Sequence, residues 1–240
     1  MKESGESEEN ISEMQAKAQE IVSLLKLDKI GEVMKKDDEN GDILNAIEWR
    51  GKAIPISNAS LKVSLNKVHK LFENMHDCAK CETSKDKKQF AKFIEACDNA
   101  IGIIEGDLLK LKNMSTGNQV GQRKLELEGL SGFVQHKKLY YLLTRDEIAI
   151  ERFCASEVPS NIDEQIKYYE QISRMYDALL HYAQEISALP GGSEDDDFAA
   201  TANAHELRLD AQRCYHIGCI YAVKQKVSLF CLCESCCRRN

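Results

Sequence analysis

Proline is almost missing from this chain, with three residues in 240, and aromatic residues make up only 7%. Together these shortages argue against a β-sandwich, whose strands and turns draw on both residue classes. No apolar run approaches the roughly 20 residues that a membrane span needs, and no signal peptide opens the chain. A soluble, cytoplasmic protein is therefore expected. Also missing are HExxH, a phosphate-cradling glycine-rich loop and a GxSxG elbow. Asp and Glu are scattered over helix faces, and no pattern sets a nucleophile beside a base. The expectation is a non-enzyme with no catalytic, cofactor-binding or metal-ligating residues and no cofactor. Positive charge is in deficit overall, at a net −7, which does not suit a dedicated nucleic-acid binder.

What is present is helical material. Ala, Leu, Glu, Lys and Gln fill long stretches. Residues 1–10 are acidic and poor in apolar groups, so they read as a disordered tail. Ile21, Leu24, Leu25 and Ile30 mark a helix over 11–36, followed by a loop over 37–42. The next helix, capped by Ser57 or Asn58, carries Leu61, Leu65, Val68, Phe72 and Met75 at three-four spacing. After a break over 81–88 comes the clearest pattern: Phe90, Phe93, Ile94, Cys97, Ile101, Ile104, Leu108 and Leu111. A loop over 113–121 leads to a long helix over 123–153, which runs through Gly129 and Gly132. Asn161 or Asp163 caps another, with Tyr169, Ile172, Tyr176, Leu179, Ala183 and Ile186 on its face. The last runs from Phe198 to about Gln225. Short connections imply antiparallel neighbours.

One stretch breaks the helical pattern. Residues 46–56 read as two short arms around Arg50-Gly51-Lys52, with Gly51 suited to positive φ and Pro55 to an edge. Trp49, the only Trp, is expected to anchor this β-hairpin to the helices. Further along, Ile217-Gly218-Cys219-Ile220-Tyr221 matches the L-G-x-x-Y core of a tetratricopeptide first helix, although no 34-residue period is visible. Ten Cys without a secretory segment read as reduced thiols used mainly in the core. Cys78/Cys81 and Cys233/Cys236 form two CxxC pairs, which could supply four zinc corners but are far apart in unrelated contexts. His69, His76, His136, His181, His205 and His216 fit no ligand spacing and read as solvent-facing or core-edge.

Charge is distributed unevenly. Residues 61–145 hold 15 Lys/Arg against 10 Asp/Glu, net +5. The flanks are acidic: 8 against 13 over 1–60, and 9 against 16 over 146–240. Lys85, Lys87, Lys88, Lys92, Lys110, Lys112, Arg123, Lys124, Lys137 and Lys138 make up most of the basic third. No aromatics are interleaved for base stacking, so any nucleic-acid contact there would be to phosphate. A plain solvated helix face is the other reading.

Glu48-Trp49-Arg50-Gly51 with Pro55-Ile56 resembles the E-W-x-G-x-x-x-P-[IV] segment of the 68-kilodalton subunit family of the eukaryotic signal recognition particle. Tyr168 to Leu189, with its Tyr-Asp-Ala-Leu-Leu run and Leu-Pro-Gly-Gly ending, resembles a second segment of that family. Ala211 to Lys226 resembles a third, A-x-R-C-[FY]-x-[IL]-[AG]-x-x-Y-x-x-x-x-K. The resemblance implies a ribonucleoprotein that carries ribosomes with nascent secretory chains to the endoplasmic reticulum. It implies 7S RNA and a 72-kilodalton subunit as partners, the ribosome indirectly, and nucleolar assembly. In that family the RNA contacts lie in an N-terminal domain and the partner contacts near the C-terminus, and this chain resembles the part between. RNA-binding positions therefore stay unknown. Past Lys226 the family continues W-x-E-A, whereas this chain ends in a Cys-rich tail over 227–240. Lys-Val-Ser is also what AAG followed by GTGAGT encodes, so a truncated or mis-spliced product is expected.

The reading is an all-α array of antiparallel helical hairpins, tetratricopeptide-like, over 11–226, with the β-hairpin at 46–56. Its function is a non-catalytic scaffold segment of the particle subunit. A tetratricopeptide-like adaptor without an RNA link, and a zinc module, are the alternatives.

Overall fold

A computed structural model describes residues 44–72, 75, 79–113, 118–190 and 196–237, with the backbone alone for 196 and 226–237. The expected acidic tail, the helix over 11–36 and the loop over 37–42 lie outside the described residues.

Strands β1 (Ala46–Trp49) and β2 (Lys52–Pro55) form an antiparallel hairpin, with Ala46 opposite Pro55, Ile47 opposite Ile54 and Trp49 opposite Lys52. The period-2 pattern puts Ile47, Trp49, Ile54 and Ile56 on the buried side. Arg50 and Gly51 make a two-residue turn with φ of 52° and 70°. Two positive φ values in succession match the right-handed twist of the strands. Glycine meets that requirement without strain. Arg50 is an uncommon choice there, and its guanidinium carbon lies 3.7 Å from the Phe198 ring centroid and 4.7 Å from that of Trp49.

Five helices are present among the described residues: α1 (Ala59–Phe72), α2 (Ser84–Lys112), α3 (Asn118–Cys154), α4 (Ile162–Ser187) and α5 (Asp196–Cys237). Local chemistry sets their starts. Asn58 Oδ1 accepts from the Ser60 and Leu61 amides at 2.9 and 3.3 Å. Thr83 and Asp86 form a reciprocal capping box, which starts α2 at Ser84 rather than after Lys88. Asn161 accepts from the Asp163 and Glu164 amides. The α3 helix begins at Asn118, so Gly121, expected in a loop, is helical. The α5 helix continues to Cys237, well beyond Gln225.

Successive helices run antiparallel. Lys138 of α3 meets Asp98 of α2 at 2.5 Å, while Arg213 and Glu206 of α5 meet Asp177 and Gln184 of α4. Two apolar cores result. The first joins the hairpin, α1, α2 and the N-terminal half of α3, around Ile47, Leu61, Phe93, Ile104 and Leu130. The second joins the C-terminal half of α3 to α4 and α5, around Ile150, Ile172, Leu179 and Leu209. Thus the single rod α3, about 55 Å long at 1.5 Å per residue, lines both.

Several expectations need correction. His136 is not at the core edge: it is 3% exposed, inside α3. Tyr168 rather than Tyr169 is the buried tyrosine at the head of the α4 face. At the tetratricopeptide-like Ile217–Tyr221 stretch, a Cβ on Gly218 would meet nothing within 4 Å among the described residues, and Tyr221 is exposed.

Candidate functional site

The hairpin docks closely on α3. The Trp49 indole contacts Phe133 edge-on at 6.0 Å, His136 at 5.2 Å and Phe198 at 6.2 Å between centroids. Glycines on the facing helix make room for this approach. A Cβ on Gly129 would lie 2.5 Å from Ile54 Cδ1, and one on Gly132 would lie 3.2 Å from Trp49 Nε1. Leu189 is buried, and the Pro190 carbonyl faces Gly132 from the end of α4. The node therefore gathers two of the sequence segments that carry the family resemblance, the Trp49 hairpin and the Leu189-Pro190 turn.

The node contains polar atoms without hydrogen-bond partners, Trp49 Nε1 and His136 Nδ1. Burial pushes the His136 imidazole down to about 3, helped by the positive charges of Lys137 and Arg50. It is a neutral, aromatic-like packing element at physiological pH. Lys137, expected in the basic third, is buried, and its ammonium sits 4.2 Å from the Phe72 ring centroid.

A second junction ties α3 to α5. Arg208 is ion-paired with Glu147, and His205 Nε2 lies 3.5 Å from the same carboxylate. Arg208 also reaches Gln212 at 3.3 Å. Burial raises the Glu147 carboxyl, against the opposing pull of Arg208. Burial, and then Arg208, lower His205 to about 4. At neutral pH the junction is thus a carboxylate–guanidinium clamp beside a neutral imidazole. Burial likewise pushes the Cys97 thiol up to about 12 and raises Cys81 and Cys154, so these are thiols rather than reactive thiolates.

The rest of the expected basic third does not come together as one patch. Lys110 pairs with Asp107, Arg123 with Glu126, Lys124 with Glu128 and Lys138 with Asp98. Lys85, Lys87, Lys88, Lys92 and Lys112 are exposed. Cys81, Cys97, Cys154, Cys214 and Cys219 are reduced, in no disulfide. Cys78, His76 and the side chains of the 231–237 cysteines lie outside the described residues. Among the described residues no group of three or more His, Cys, Asp or Glu could hold a metal ion, and no helix is long and apolar enough to cross a membrane.

Sequence reasoning missed His136 and the Glu147–Arg208 clamp. His136 had a signal, because Phe133, His136 and Tyr140 share one α3 face at three-four spacing. Glu147 had none, since it follows Arg145 and Asp146 in what reads as a solvated charge run.

Residues 2–229 match the protein family described as RNA-binding signal recognition particle 68. A curated relative, the signal recognition particle subunit SRP68 of Drosophila melanogaster, is 21% identical over 202 residues. That alignment covers 78% of this chain and 32% of the fly protein, so the chain spans about a third of its relative's length. No solved structure matches. With the family match extending over nearly the whole sequence, and with the resemblance-bearing hairpin and turn packed into one buried node, the chain belongs to the signal recognition particle 68 family.

Proposed function

We propose that this chain is a non-catalytic scaffold segment of a signal recognition particle subunit, acting in a ribonucleoprotein that targets nascent secretory chains to the endoplasmic reticulum. The observation that carries the reading is α3. One continuous helix lines both apolar cores, so the hairpin–α1–α2 unit and the α4–α5 unit are held at a fixed separation. A rigid spacer of this kind suits a segment that keeps flanking binding regions apart. The particle's 7S RNA and its 72-kilodalton subunit are the proposed partners, with the ribosome reached through the particle. The proposed location is the cytoplasm, with endoplasmic reticulum association and nucleolar assembly. Residues 11–226 are proposed as the working unit, and the Cys-rich 227–240 segment as lying outside it.

A second reading, an adaptor that holds a peptide without an RNA link, is favoured by Leu207, Tyr215 and Tyr221, all exposed on α5. Affinity purification of the tagged chain from cell extract, with and without ribonuclease, separates the two. Recovery of 7S RNA and the 72-kilodalton subunit supports the scaffold. Recovery of neither, with ribonuclease-insensitive protein partners instead, supports the adaptor.

A further inference from the structure

We infer that the first half of α2 is a docking face for the phosphate backbone of an RNA helix, through Lys85, Lys88 and Lys92. The inference rests on the proposed role inside a ribonucleoprotein and assigns a contact surface to this chain's own residues.

These three lysines are exposed and stand at i, i+3 and i+7, so they line one side of the helix over about 10 Å. Lys87 is exposed beside them. Two neighbouring acids are held by groups other than these lysines, though both keep their charge. Asp86 is bound into the Thr83 capping box, and the Glu82 carboxylate pairs with Arg152 of α3 at 3.0 Å. Glu95, exposed one turn beyond Lys92, marks the far edge of the face. The adjoining helix α1 contains no Asp or Glu, so its lysines add to the local positive field in a chain of net charge −7.

The character of the face selects the occupant. Protein interfaces typically centre on a desolvated aromatic, apolar or Arg anchor. The exposed large hydrophobics Val63, Leu109 and Leu125 lie elsewhere, and Phe90 and Phe93 of this segment are buried. Without exposed rings, unpaired bases have nothing to stack on. What remains is a row of flexible point charges, which suits sequence-independent contact with phosphates. Three such contacts give log K a slope of about −2.7 against log salt, or a loss of about 40-fold between 50 and 200 mM.

The test uses the full 240-residue chain and a short RNA duplex of arbitrary sequence, with fluorescence anisotropy across that salt range. The variants are K85E/K88E/K92E, its charge-preserving Lys→Arg counterpart, and K167E/R174E on exposed α4 positions as a charge control. Circular dichroism confirms that each folds. The expected result is that the Glu variant loses more than ten-fold in affinity and has a slope shallower by about 2.7, while the Arg variant and the control bind as the parent does. Parental binding with an unchanged slope in the Glu variant overturns the inference. So does a parent chain that ignores the duplex at 50 mM salt, or one that prefers an acidic peptide such as polyglutamate. If the tagged chain still recovers 7S RNA and the 72-kilodalton subunit from extract while this assay fails, the lysine face is wrong and the scaffold reading survives. If recovery fails, the scaffold reading falls first.

Discussion

Replacing Gly132 by alanine isolates the close approach of the hairpin to α3. In an unobstructed helix interior Gly→Ala gains about 1 kcal/mol. Gly102, in the middle of α2, is the reference for that gain, because a Cβ added there would meet nothing within 4 Å. At Gly132 the new carbon would sit 3.2 Å from Trp49 Nε1 and 3.7 Å from both Trp49 Cε2 and the Pro190 carbonyl. The indole cannot swing away, because Phe133, His136 and Phe198 enclose it. Forcing extra volume into such a packed site costs about 1–3 kcal/mol, which outweighs the helix gain. Gly102→Ala should therefore stabilise by about 1 kcal/mol and Gly132→Ala should destabilise by about 1 kcal/mol. Urea unfolding followed by circular dichroism measures both, and Trp49 fluorescence reports hairpin docking directly. A Trp49→Phe background supplies the cycle, since Gly132→Ala should lose most of its penalty once the indole is gone. If Gly132→Ala raises the midpoint as Gly102→Ala does, the claim that glycine makes room for the approach is refuted.

His136 stays neutral in the fold with its pKa lowered to about 3, so the unfolded chain binds more protons between that value and the ordinary 6.5. Stability should fall as pH drops through this window, by up to about 1.4 kcal/mol per unit from this residue. His136→Phe should flatten that part of a stability-versus-pH curve, and an unaltered curve would count against a buried neutral imidazole. Arg208→Met leaves the Glu147 carboxylate in a mostly buried site without its cation. The expected loss is about 2–3 kcal/mol by thermal unfolding, partly recovered by Glu147→Gln in the same chain, and a loss under about 0.5 kcal/mol would mark the clamp as an ordinary surface pair. In native protein at mild alkaline pH a thiol reagent should label exposed Cys214 well before Cys97, whose thiol is buried and pushed up to about 12. Equal labelling rates, read by peptide mass spectrometry, would contradict the packing of α2.

The family resemblance was legible because it resides in short segments with strong local signatures. Glu48 to Ile56 reads as a hairpin from its glycine, proline and alternation, and the turn forms at Arg50-Gly51. The α2 stripe from Phe90 to Ile104 was equally plain, because a buried face repeats every three or four residues however the rest of the chain folds. Boundaries were less plain. The capping box that starts α2 at Ser84 lay inside the stretch over 81–88 that reads as a break.

Periodicity, caps and turn residues belong to the chain itself, and from them the sequence alone determined an all-helical protein with one small hairpin. Only the tertiary structure decided that Gly129 and Gly132 are contact points rather than weaknesses in a long helix. It likewise decided that His136 is core, that Lys137 is a buried cation over Phe72, and that Glu147 clasps Arg208 across 61 positions of sequence. The physical reason is range. A helix reads its own neighbours within one turn, whereas the meaning of a glycine, an imidazole or a carboxylate depends on which distant side chain packing brings against it.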